Sequence, residues 1–198
     1  MNSNGSSRRA YGFKDKMTVS EKIFFAAAFA LSAFLTAIIQ TCFFFNFRPF
    51  GFAPDLCLAL TVAVGVKFGP KSAGIIGLLS GFFVDCFSAS GFSLAIPFYV
   101  ILGISVGFFA GESGGVNLPQ FVIFALGVIV GVLADSFLST ARICLTFSSF
   151  NIGDVLFKTV FPEALCTAVF SIVVYAPVAL FSRIIKKKQG LSAKTLKK

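Results

Sequence analysis

Apolar residues fall along this 198-residue chain in six blocks, at about 23–45, 54–68, 72–87, 93–110, 119–140 and 161–181. Short breaks rich in Gly, Pro or charge separate them. A helix rises about 1.5 Å per residue and needs about 20 apolar residues to cross a hydrocarbon layer about 30 Å thick. The blocks are of spanning or slightly sub-spanning length, and none alternates with the two-residue period of a half-buried strand. The pattern predicts an all-α membrane protein, a bundle of about six transmembrane helices.

Composition agrees. The chain is 57% hydrophobic and 13% charged, where a soluble domain carries about a quarter charged residues. Mean hydropathy is +0.91. The net charge of +9 invites a nucleic-acid reading, but its placement points to a membrane surface instead. Basic residues crowd the first 22 residues and the stretch from Arg183 to Lys198, including Lys186–Lys188 just past the last block. With both ends in the cytoplasm, fourteen of the 17 Lys and Arg fall inside and only Arg48, Arg142 and Lys158 outside. That bias predicts an N-in, C-in bundle whose natural surface partner is anionic lipid, with no nucleic acid.

Residues 1–21 are polar, basic and Gly/Ser-rich, and are expected to form a flexible cytoplasmic tail; residues 184–198 form a second basic tail. The first block has full span length and leads to no cleavage site, so it reads as a retained span and not a secretory signal. Its Ala26/Ala30 and Ala33/Ala37 pairs suit helix packing or docking of another protein's helix. Pro54 suits a first helical turn, with Asp55 beside the positive end of the helix dipole. Lys67–Lys71 forms a tight basic turn, and Pro97 suits a kink or first turn. Pro162 and Glu163 repeat the Pro–acid start at the last block. Six phenylalanines between Phe43 and Phe52 form a greasy edge facing lipid or a partner.

The middle of the chain carries an internal echo. Gly77, Gly81 and Asp85 recur every four residues, and Gly127, Gly131 and Asp135 repeat the pattern 50 residues later, each within G-x3-G-x3-D-x-F. Such spacing drifts about 40° per step, so each trio lies along one helical stripe. The stripe joins two notches for close backbone approach to one ionisable group in a place where charge is costly. Either the echo is a parallel repeat or it is chance likeness between two Gly-rich helices. Two readings of the aspartates stand. They line a shared polar pocket or meet a partner's basic residue, or each fixes packing by bonding hydroxyls and backbone.

Catalytic chemistry finds little footing. The chain has no His, its five Cys are scattered without CxxC spacing, and no GxSxG, P-loop or HExxH occurs. A non-enzymatic protein with no cofactor and no metal is expected.

With these residues laid out, the chain resembles the MreD family, the small membrane component of the bacterial rod-shape machinery. The resemblance rests on Pro54-Asp55-Leu56, the turn with Gly69, Gly77-x3-Gly81-Phe-Phe-Val-Asp85, Gly91 and the Gly-bearing fourth span. It continues at Phe161-Pro162-Glu163-Ala164-Leu165 and departs at Cys166-Thr167, where Tyr-Asn is expected. It implies a scaffold of the bacterial cell membrane that binds an MreC-like partner. The same complex would hold MreB, RodA and a class B penicillin-binding protein. The chain is more distantly similar to substrate-binding S components of energy-coupling-factor vitamin transporters, which also have six spans and small-residue faces. Such a binder should converge Asn, Gln, Arg, Tyr or Trp in the outer halves of its last spans, where this chain offers mainly Phe.

Overall fold

The computed structural model describes residues 19–44, 53–87, 94–112, 119–146 and 161–195, all helical apart from short joints. The six helices among the described residues are α1 (Val19–Ile38, ending in a π turn at Ile39–Phe43), α2 (Leu56–Phe68), α3 (Pro70–Phe87), α4 (Ala95–Glu112), α5 (Gln120–Thr146) and α6 (Phe161–Thr195). The expected all-α membrane architecture is found. The helices centred on α1, α3, α5 and α6 are long and apolar enough to cross a membrane; α2 and α4 are shorter apolar helices. Of the tail expected at 1–21, residues 19–21 belong to α1; of the Gly-rich loop expected at 111–118, residues 111–112 belong to α4; and of the interfacial stretch expected at 141–160, residues 141–146 continue α5. The rest of these segments and the Phe-rich turn after Phe44 lie outside the described residues. The last helix runs to Thr195, so the basic tail predicted from residue 184 continues α6 for more than two turns.

Contacts between helix ends set an up-down alternation. Phe29, midway along α1, meets Phe68 at the end of α2 (5.1 Å) and Phe181 in the second half of α6 (5.9 Å), while Gln40 at the far end of α1 meets Cys57 at the start of α2. Lys67 at the end of α2 donates to Gln120 Oε1 at the start of α5 (2.7 Å) and lies 5.0 Å from the Tyr175 ring. Both chain ends therefore lie at one end of the bundle, here called the tail end. The ends of α1, α3 and α5 and the starts of α2, α4 and α6 gather at the other.

α2 is the axis. Every residue from Leu56 to Val66 is buried, under a ring formed by α1, α3, α4, α5 and α6. An element apolar on all sides and enclosed on all sides needs no amphipathic stripe. Its 13 residues span about 20 Å, short of the ~30 Å hydrocarbon layer, so one of its ends stops within the bilayer's thickness. At the tail end α2 turns directly into α3 through Gly69. Its φ of +85° lies where side chains are strained, its N–H donates to Gly65 O, and its own carbonyl accepts Ala73 N–H.

α3 and α4 form the tightest pair. A methyl at Gly77 would drive into the Tyr99 carbonyl, and one at Gly81 would stand 2.6 Å from Ile96 Cα. From the other side, Gly103 abuts the Ala73 carbonyl and Gly107 abuts Pro70. The two backbones thus touch along four antiparallel steps, 70/107, 73/103, 77/99 and 81/96. The second stripe faces side chains instead: Gly127 rests on Val62 and Val106, and Gly131 on Leu58 and Leu102. Both copies of the echoed motif therefore pack on α4, α3 against its backbone and α5 against its side chains. On α1, Ala33 and Ala37 are buried in the bundle while Ala26 is exposed, so only the second alanine pair packs within the chain.

The seam yields a test. Gly81→Val should destabilise the bundle by about 1–3 kcal/mol or more through overpacking against α4 backbone. Gly74→Ala, whose new methyl meets only the flexible Ile104 side chain at 3.1 Å, should cost far less. Thermal unfolding in detergent compares the two.

Candidate functional site

The starting turn of α2 presents backbone N–H groups that no residue of its own helix can satisfy, and in a hydrocarbon layer water cannot do so. The residue before the helix and two other segments supply acceptors, and a third segment holds the capping carboxylate. Asp55 is the N-cap, and its Oδ1 accepts Leu58 N–H at 2.9 Å. Gln40, carried on the π turn that ends α1, accepts Cys57 N–H through Oε1 at 2.9 Å. Thr167 of α6 accepts Asp55 N–H at 3.1 Å. Tyr99 of α4 donates its hydroxyl to Asp55 Oδ2 at 2.7 Å. Asp55, Tyr99 and Thr167 are all buried. One short polar knot therefore ties α1, α2, α4 and α6 together. Pro54 lies just outside the helix, two residues before Leu56, and not in the first turn as the sequence suggested.

Above the knot is a cavity of about 280 Å³, lined by Gln40, Asp55, Val84, Asp85, Phe98, Tyr99, Asp135, Ser139 and Glu163 among others. Four of the chain's eight carboxylates converge there, from α2, α3, α5 and α6, and among the described residues no Lys or Arg lines the space. Asp85 and Asp135 each lie fifteen residues into their helices, from Pro70 and Gln120, or about 22 Å along parallel elements. Equal depth brings them to the same cavity. Both aspartates thus line a shared polar pocket, as the first of the two sequence readings has it. Asp85 Oδ2 is buried and has no hydrogen-bond partner among the described residues. Buried polar atoms of that kind ask for an explanation, and a carboxylate oxygen accepts only from a donor brought to it.

Glu163 and Pro162 occupy the first turn of α6, as the sequence suggested, and Glu163 also faces the cavity. Gly77, Gly81, Gly127 and Gly131 do not reach it. They set the helix separations that bring the acids together. Sequence reasoning missed Gln40, Tyr99 and Thr167. Gln40 is the lone amide in the first apolar block and Tyr99 one of three tyrosines, which is the signal that could have found them. Thr167 gives none, since hydroxyls in membrane helices ordinarily bond their own backbone, as Thr36 does to Ser32 O. Among the described residues, no three of His, Cys, Asp and Glu come together with the geometry to hold a metal ion. The site's chemistry is that of an acid-lined, hydrogen-bond-accepting pocket.

Tyr99→Phe should remove about 1–3 kcal/mol of stability, because it leaves Asp55 Oδ2 buried without its donor. Asp55→Leu, which also loses the cap, should cost more, while Asp55→Asn keeps an oxygen for Leu58 N–H and should cost least. Unfolding midpoints of the three variants in one detergent give the order.

No protein-family model, curated protein or solved structure matches this chain.

Proposed function

We propose that this protein is a non-enzymatic scaffold of the bacterial cell membrane, acting in the cell-elongation machinery. It would bind an MreC-like partner and help organise peptidoglycan synthesis by MreB, RodA and a class B penicillin-binding protein. The observation that carries the reading is the meeting of Asp55, Asp85 and Glu163 in one cavity. The resemblance picks these three from stretches far apart in the chain, and they share a single acidic site. With the basic chain ends in the cytoplasm, the cavity opens on the outer side, where an MreC-like protein would present its extracytoplasmic part. A basic side chain of the partner would offset the mutual repulsion of the carboxylates and donate to Asp85 Oδ2. The glycine seam and the fully enclosed α2 suit a rigid anchor, which is what a scaffold requires.

A second reading follows from the same cavity. Gln40 and Tyr99 supply the polar side chains that a small-molecule binder needs, from the first and fourth helices in place of the last ones. In that case the ligand is a small organic cation and the protein is an S component of an energy-coupling-factor transporter.

Tagged protein purified from its native membrane in mild detergent separates the two. The scaffold reading expects recovery of an MreC-like protein, reduced several-fold by Asp85→Asn or Glu163→Gln with the bundle's unfolding midpoint retained. Recovery of two ATPase subunits with a large transmembrane coupling protein would replace it with the transporter reading. Full partner recovery with both variants would remove the acidic cavity from partner binding.

A further inference from the structure

On the opposite flank from the α3–α4 seam, α1 and α6 do not pack along their length. They meet through two edge-to-face ring pairs, Phe29–Phe181 toward the tail end at 5.9 Å and Phe44–Phe170 toward the cavity end at 5.0 Å. Between the pairs is a window of about 500 Å³, open to the side. Its floor is Leu56 and Leu60 of α2, and Pro177 of α6 lies along its wall. Proline removes one backbone N–H from the helix that carries it and favours a bend there. The hydroxyls on the wall, Ser32 and Thr36, are spent on Phe29 O and Ser32 O, so the window offers apolar surface alone.

We infer that this window is a binding site for one tail of an anionic phospholipid from the leaflet at the tail end. Three observations select that occupant. The ring pairs bridge both ends of the window, where a docked helix would have to pass. Between its ring pairs α6 spans about 16 Å, close to the ~15 Å of one leaflet's hydrocarbon half, which is the reach of a lipid tail. The third observation is charge. The lining stripes repeat every seven residues, through Thr36 and Phe29 on α1 and through Val174 and Phe181 on α6. Continued by one more step toward the tail end, each stripe arrives at a lysine position, Lys22 and Lys188, both within the helical spans. Both positions lie about 10 Å past the lower ring pair along their own helices, on the tail-end side where anionic headgroups would lie.

The chain contains no Trp, so a single introduced one reports locally. The full chain would carry Trp in place of Val173, on the window's wall and 67% exposed, or as a control in place of Val130, 59% exposed on α5. Each is reconstituted in phosphatidylcholine vesicles containing a minor fraction of tail-brominated phosphatidylglycerol, and in matched vesicles with the bromine on phosphatidylcholine. The site predicts several-fold stronger quenching by brominated phosphatidylglycerol at position 173 than at 130, with no such preference from brominated phosphatidylcholine. The double substitution Lys22→Gln with Lys188→Gln should abolish the preference. Ala28→Phe, which fills the window, should reduce quenching at 173 by either lipid. Equal quenching at both positions, or a preference that survives the lysine substitutions, would overturn the site. Shielding of 173 from both lipids would mean that protein covers the window, a partner helix or a second copy, and would overturn it as well.

Discussion

A helix that stops inside the thickness of a bilayer leaves backbone N–H groups where water cannot reach them, and the bundle is arranged around that problem. α2 is too short to cross, so its first turn must be satisfied by protein. Asp55 caps it, Gln40 and Thr167 accept from it, and Tyr99 holds the capping carboxylate. Each partner comes from a different part of the chain. The same few hydrogen bonds that complete one helix therefore fix the relative heights of α1, α4 and α6. Removing any one of them leaves a buried polar group unpaired, which costs more than the bond itself contributes.

The glycine seam is coupled to this knot through Tyr99. Its carbonyl packs on Gly77 while its hydroxyl reaches Asp55. Close approach of α3 and α4 thus sets where the hydroxyl arrives, and a side chain at Gly77 would displace both contacts together. The same approach carries Asp85 to the cavity, two turns beyond Gly77. Packing and site are one structure here: small residues bring the helices near enough for four carboxylates to share a space, and the shared space is the feature that invites a cationic partner.

How much of this the sequence revealed follows from the kind of signal each feature leaves. Apolar blocks broken by Gly, Pro and charge marked the six described helices, because burial, in lipid or for α2 beneath the other helices, requires apolar residues along the whole element. The helix starts beside Asp55 and Glu163 were legible as local Pro–acid pairs, though Pro54 lies outside the helix and Asp55 is its cap. The equal spacing of Asp85 and Asp135 behind their glycines pointed to equal depth, and a common cavity was one of the two readings it allowed. The knot was not legible. Gln40 meets Cys57 seventeen residues on, and Asp55 meets Thr167 across 112 residues, pairings that depend on how the bundle closes and leave no periodic mark. The π turn at Ile39–Phe43, which carries Gln40, has no local breaker to announce it.

The functional account stands on the convergence of acids in one cavity reached from the outer side. The most direct measurement is a double-cysteine test in a chain freed of its five native cysteines, with Asp85→Cys and Asp135→Cys paired and a short membrane-impermeant bis-thiol reagent applied from outside. The account predicts that the reagent bridges the two positions and that each single variant is labelled. A control pair at Phe82 and Val130, both exposed on the lipid-facing surface of the same two helices, should not be bridged. Absence of bridging between 85 and 135, or no labelling of either from outside, would contradict the shared cavity and the functional reading built on it.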